Sequence, residues 1–130
     1  MELMFDNCIN LRNVPLLDTS NVVTMKNMFS YCKKIESLPL FDTSNVTSMY
    51  QMCLTCSSLK AVPLYNTNKV SNMDGTFESC YSVDTGSLAF YNQVSTQANP
   101  PTNHYKTFAS CGRDSQTGSA ELAQIPSDWK

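Results

Sequence analysis

The feature that most constrains this chain is a period of 24 residues. Met4-Phe5-Asp6-Asn7-Cys8, Met28-Phe29-Ser30-Tyr31-Cys32, Met52-Cys53-Leu54-Thr55-Cys56 and Thr76-Phe77-Glu78-Ser79-Cys80 end in cysteines that step by 24. Other columns keep the same register: Leu11/Ile35/Leu59, Val14/Leu38/Val62, Pro15/Pro39/Pro63, Leu16/Leu40/Leu64, Asp18/Asp42/Asn66, Val22/Val46/Val70 and Met25/Met49/Met73. Such a chain folds as a row of equivalent units, each too small to bury its apolar face alone and each packed on its neighbours.

The content of one unit carries its own expectation. Leu59-x-x-Val62-x-Leu64 has the spacing of a leucine-rich-repeat strand, in which side chains alternate between two faces. Asp42-Thr43-Ser44-Asn45 then supplies side-chain acceptors of the kind that begin helices. Val46, Met49, Met52, Cys53 and Cys56 follow at steps of 3, 3, 1 and 3, as do Val22, Met25, Met28, Phe29 and Cys32, a single apolar stripe at helical period. Each unit therefore reads as strand, turn, helix, turn. Parallel strands joined by a crossover helix coil right-handed. The expected fold class is α/β: a right-handed leucine-rich-repeat solenoid of about four to five strand-helix coils with a parallel sheet and an irregular C-terminal cap.

Within that single domain, residues 1–83 hold the regular repeats and 84–130 an irregular last repeat and cap. Thr107-Phe108-Ala109-Ser110-Cys111 repeats the unit end 31 residues after Cys80, which implies a seven-residue insertion. Asp84-Thr85-Gly86 resembles a cap before Leu88, Phe90, Tyr91 and Val94, and Asn99-Pro100-Pro101-Thr102-Asn103 breaks the chain before a second helical stretch. Leu122-x-x-Ile125-Pro126 reproduces Leu59-x-x-Val62-Pro63 and predicts a last strand, with Trp129 over the end of the core. Met1 to Asp6 has neither the charged n-region nor the apolar h-region of a signal peptide and opens in mid-unit, as if cut from a longer protein. Its open first coil invites a homodimer.

These units resemble the BspA-like leucine-rich repeats of bacterial surface proteins, which read like Asp42-Thr43-Ser44-Asn45-Val46-Thr47-Ser48-Met49 followed by Met-Phe-x-x-Cys. The resemblance is strong from residue 4 to residue 80. Pro100 to His104 and Glu121 to Pro126 are similar to the segment that closes some such arrays. The resemblance implies a cell-surface or secreted bacterial protein, of unknown or adhesive function, which binds a protein or other host macromolecule. The alternative, from the opening in mid-unit, is a structural spacer or capping array within a larger surface or phage-particle protein.

Composition narrows the partners. Charged residues are 15% and the net charge is −2, so no basic surface exists to neutralise a phosphate backbone and nucleic acid is not expected. No apolar run reaches the roughly 18 residues of a membrane span, so membrane insertion is not expected. Cys53-x-x-Cys56 invites redox or zinc chemistry. The register argues for packing instead, since Cys56 belongs to the cysteine column and Cys53 replaces the Phe5/Phe29/Phe77 position; both thiols are expected in the core. No second C-x-x-C completes a zinc site. His104, the one histidine, sits among proline, asparagine and threonine, and four glycines form no phosphate loop. Asn45-Val46-Thr47 is a glycosylation sequon on a capping position. The chain is expected to be no enzyme and to need no cofactor or metal.

The strand alternation also predicts a binding surface. With Val14 and Leu16 inward, Asn13, Leu17, Ser37, Phe41, Ala61 and Tyr65 fall on the concave face, and Leu17, Phe41 and Tyr65 form an exposed column of the kind that anchors partners. Proline in an internal strand cannot donate to its neighbour, so these strands must be very short. A register shifted by one residue would exchange inside and outside.

Overall fold

The structure, a computed structural model, describes residues 1–130. Its units stack through backbone hydrogen bonds at a fixed offset. The N–H groups of Met25, Asn27, Phe29 and Tyr31 donate to the carbonyls of Ser48, Tyr50, Met52 and Leu54 in the next coil, at 2.7 to 3.0 Å. Met49, Gln51, Cys53 and Thr55 do the same toward Asn72, Asp74, Thr76 and Glu78. The intervening residues bond within their own coil: Met28 donates to the Met25 carbonyl and Cys32 to that of Phe29. Each such turn carries a positive φ at its third residue, 53° at Asn27 and 59° at Tyr31, as a type II turn requires. Gln51, Thr55, Gly75, Ser79, Lys106 and Ser110 continue the two columns.

The segments expected to be helices are therefore runs of consecutive tight turns. An α-helix returns every N–H to its own chain four residues back, whereas here alternate N–H groups leave the coil. The side-chain consequence is nevertheless the same, because the turn run points residues i, i+3, i+4 and i+7 inward: Met25, Met28, Phe29 and Cys32 are all fully buried. The Asp42 segment is not a helix cap either. Its carboxylate accepts the Ser44 N–H at 2.9 Å, an Asx turn repeated at Asp18 with Ser20 and at Asn66 with Asn68.

The expected strands and parallel sheet are absent as well. Between coils only isolated parallel bridges form, Thr24 with Ser48, Ser48 with Asn72, Ala61 with Thr85 and Asn72 with Asn103. The proline column is the cause. Pro39 and Pro63 have no N–H to give, and their carbonyls accept the N–H of Phe41 and Tyr65 two residues on, both at 3.0 Å. These three-residue turns fold the chain back at Leu40 and Leu64 and end any extended run. The strand-helix solenoid with a parallel sheet is thus overturned: the regular elements are two short helices and a 3-10 turn, all C-terminal.

Helix α1 (Ser87–Ser95) fills the seven-residue insertion and buries Phe90 and Val94. Phe90 meets Phe77 and Phe108 edge-on, at centroid distances of 5.5 and 6.2 Å. Helix α2 (Gln116–Gln124) occupies most of the stretch expected as a last strand and is capped by the Ser115 hydroxyl, which accepts the Gly118 N–H. The second helical stretch expected after Asn103 is instead another turn run. Glu121 on α2 supplies the cap that α1 lacks in its own sequence, accepting the Leu88 N–H at 3.1 Å. The 3-10 turn Ser127–Trp129 lays Trp129 over the end of the stack, 4.2 Å from His104 ring to ring and 6.3 Å from Phe108. The core is continuous from Met25 to Trp129. Through its first coils runs an aromatic column, with Phe5 on Phe29 at 5.4 Å, Phe29 on Phe41 at 5.9 Å and Phe41 on Tyr65 at 6.2 Å.

Candidate interaction surface

The turns after the prolines decide which residues face outward. Leu40 and Leu64 sit at the corners and project into solvent, 64% and 51% exposed, and Leu16 in the coil before is 71% exposed. The residues that follow turn inward: Phe41 is 3% exposed and Tyr65 is fully buried. The Tyr65 hydroxyl reaches back one coil and donates to the Pro39 carbonyl at 3.0 Å, so the phenol is satisfied inside the core. Burial pushes its ionisation well above the usual phenol range.

The expected site is therefore displaced by one residue. Phe41 and Tyr65 cannot serve as an exposed column, and Leu17 is half-buried against the core. Asn13, Ser37 and Ala61 are exposed as expected, yet without the aromatic partners that made them a site. The exposed apolar column is Leu16, Leu40 and Leu64, the residues first placed inside. The sequence signal for them was the proline immediately before each, since strict alternation does not survive a bend.

Carboxylates border this column. Asp18 and Asp42 are exposed two residues beyond Leu16 and Leu40, and the serines at 20 and 44, bonding through hydroxyl and N–H, lower both carboxyls from their ordinary value. At its C-terminal end the column opens into a hollow of about 370 Å³ between coil and α1, lined by Leu64, Asn66, Asn68, Gln93 and Gln97. Gln93 braces that wall by donating to the Tyr65 carbonyl at 2.7 Å. The flank thus offers an apolar ridge, an anionic border and an amide-lined end.

The residues that suggested chemistry have structural occupations. Cys53 and Cys56 are fully buried, as the register required. The Cys56 thiol donates to the Phe29 carbonyl at 3.1 Å, and Cys32 and Cys80 repeat the contact toward Phe5 and Cys53. A side-chain hydrogen bond with Cys56 and then burial raise the Cys53 thiol well above its usual range. No group of three or more His, Cys, Asp or Glu side chains is placed to hold a metal ion. His104 lies flat against Trp129. No helix is long and apolar enough to cross a membrane.

Stacked coils of tight turns, closed by two helices and presenting a periodic outer flank, define a repeat protein. Residues 1–115 match the family described as "Mycoplasma protein of unknown function, DUF285", and the chain belongs to that family. Among solved structures it is similar, at 15% identity and a TM-score of 0.40, to a leucine rich cell surface protein from Faecalibacterium prausnitzii. That likeness covers 90% of this chain and 36% of the neighbour, so the chain spans about a third of the neighbour's length. No curated protein matches the chain.

Proposed function

We propose that this chain is a non-enzymatic interaction module of a bacterial surface protein, and that it holds a protein ligand of a host or neighbouring cell along Leu16, Leu40 and Leu64. The observation that carries this reading is the periodic exposure of three leucines on one flank, at 71%, 64% and 51%. An aligned apolar ridge costs solubility and marks a surface meant to be covered. The border of Asp18 and Asp42 selects a ligand with an apolar strip and basic neighbours, and electrostatic complementarity of this kind sets specificity and association rate. Adhesion is the finer form of the same function.

The test is adherence. Beads coated with the chain are applied to epithelial monolayers, beside beads carrying the Leu16→Glu/Leu40→Glu/Leu64→Glu variant. Adherence of the first and its loss in the second, with the melting temperature held, is the expected outcome. Equal adherence of both would remove the leucine flank from the function.

A homodimer through the first coil is a second reading, favoured by the exposure of Leu3, Met4 and Ile9. Light scattering on the chain and on Met4→Glu decides it: a dimer that the variant dissolves supports the reading, and a monomer in both rejects it.

A further inference from the structure

The turn run carries a second outward column, one residue after Met25, Met49 and Met73: Lys26, Tyr50 and Asp74, continued at Tyr105 after the insertion. Tyr50 is the shared wall of two adjoining hollows. One, of about 290 Å³, is lined by Lys26, Ser48 and Asn72. The other, of about 230 Å³, runs from Tyr50 to Tyr105 between Gln51, Asp74, Glu78 and Lys106. Each is smaller than the roughly 300 Å³ at which sites for drug-sized ligands begin, so each takes one small ring rather than an extended molecule.

Gly75 is part of the lining of the second hollow. Gly75 occupies the turn position held elsewhere by Asn27, Gln51 and Lys106, and a Cβ there would come within 3.1 Å of both the Gln51 Cγ and a Glu78 carboxylate oxygen. With glycine, these two side chains close down over the turn. Their polar atoms are only partly used. One Asp74 oxygen accepts the Tyr105 N–H at 2.8 Å and the other is free. Gln51 gives its oxygen to the Asn27 amide at 3.3 Å and keeps its own N–H groups. The Lys106 ammonium lies 5.3 Å from the Tyr105 ring centre and that of Lys26 5.5 Å from the centre of Tyr50.

This chemistry selects a ligand class. Two carboxylates against two ammonium groups leave no net charge with which to hold a phosphate or a polyanion. The tyrosines are the only hydrophobic lining of the second hollow, so no slot receives an apolar peptide side chain. A pyranose needs what is present: an aromatic face for its C–H side, and planar acceptors and donors for hydroxyls that both give and accept hydrogen bonds. We propose that the Tyr50–Tyr105 groove binds a neutral disaccharide, one ring in each hollow, with Tyr50 between them. Hydroxyls of one ring donate to Glu78 and to the free Asp74 oxygen and accept from Gln51 and Lys106; those of the other meet Ser48, Asn72 and Lys26. The proposal stands apart from the leucine flank.

Saturation-transfer NMR on the whole chain tests it, with glucose, cellobiose, lactose and N,N′-diacetylchitobiose at millimolar concentration as probes. At least one disaccharide is expected to receive transfer and to bind more tightly than glucose. Tyr50→Ala abolishes the signal, while Tyr105→Ala and Glu78→Gln each weaken binding roughly tenfold. Tyr31→Ala, an exposed tyrosine in another column, leaves it unchanged. Because Tyr105 is 62% exposed, its replacement reads binding even if the half-buried Tyr50 variant is poorly folded. No transfer to any disaccharide overturns the proposal, as does an affinity that Tyr105→Ala and Glu78→Gln leave unchanged. Transfer to a proline-rich peptide with none to the sugars would reassign the groove to protein.

Discussion

The sulfur of Cys56 lies 3.1 Å from the carbonyl oxygen of Phe29, one coil back. With the same contact from Cys32 to Phe5 and from Cys80 to Cys53, the cysteine column becomes a ladder of thiol donors that ties successive coils together inside the core. The small side chain and weak donor suit a position where the neighbouring backbone approaches closely.

Five of the six cysteines are buried and Cys8 is exposed. Titration of the native chain with a thiol reagent at pH 8 should therefore report one reactive group, rising to six in denaturant. Cys56→Ala removes a buried donor and its packing and should cost about 1 to 3 kcal/mol in a urea melt. Several thiols reacting at once in the native state would contradict the ladder.

Burial also sets an alkaline limit to stability. It raises Cys32 and Cys111 from 9.0 to about 12. A thiol with a raised folded-state value binds its proton longer in the native chain than in the unfolded one. Its stabilising contribution is complete below pH 9 and is lost between pH 9 and about 12. Each such thiol should steepen the loss by about 1.4 kcal/mol per pH unit in that window. Denaturant melts from pH 7 to 11, with Cys111→Ser as the comparison, measure this; a slope that the variant leaves unaltered would count against it.

The exchange of inside and outside after the prolines makes a sharp contrast between adjacent residues. Leu40→Ser should change stability by no more than about 0.5 kcal/mol, as surface substitutions do. Phe41→Ala, one residue later, should cost about 3 to 5 kcal/mol because it empties the aromatic column between Phe29 and Tyr65. The two urea midpoints decide whether the column has been assigned to the correct side.

Gly86 precedes α1 with a φ of 97°, and a Cβ on it would press into the Val62 backbone. Gly86→Ala should lower stability by about 1 to 3 kcal/mol, from strain and a close approach together. Lys106, at φ 56° in the Gly75 column, should respond oppositely. Lys106→Gly relieves a left-handed residue and should raise the melting temperature by the equivalent of about 1 kcal/mol.

The period, the buried columns and the place of Trp129 were legible in the sequence, because spacing alone brings Met25, Met49 and Met73 into register. The nature of the connecting backbone was not. A run of type II turns and an α-helix place the same residues inward, so Val46, Met49, Met52, Cys53 and Cys56 fit either. The usual marker of positive φ, glycine, occurs once in the first turn column, at Gly75, while Leu3, Asn27, Gln51 and Lys106 adopt the conformation without it. They are held there because each N–H at those positions except that of Lys106 is claimed by the next coil. The site failed for a related reason: alternation from Val14 through Leu17 assumes an extended chain, and the bonds from Phe41 to Pro39 and from Tyr65 to Pro63 fold it. The tyrosine groove left no mark because its walls lie two coils apart.

The tight-turn flank has an electrical direction. Within the turn runs the inter-coil bonds go from the N–H of one coil to the carbonyl of the next, as in Phe5 to Met28, Phe29 to Met52, Cys53 to Thr76 and Phe77 to Thr107, while Thr47, Ser71, Asn103 and Gly112 at the edges of the runs donate backward. Aligned peptide dipoles of roughly 3.5 D add along such a row. An α-helix is positive where its chain begins. This flank is the reverse: its carbonyl, negative pole lies beside Glu2, Met4 and Asp6, and its positive pole is muffled at the other end, where the Trp129 carbonyl receives the Phe108 N–H. Whatever packs against the carbonyls of Glu2, Met4 and Asp6 must bring hydrogen-bond donors.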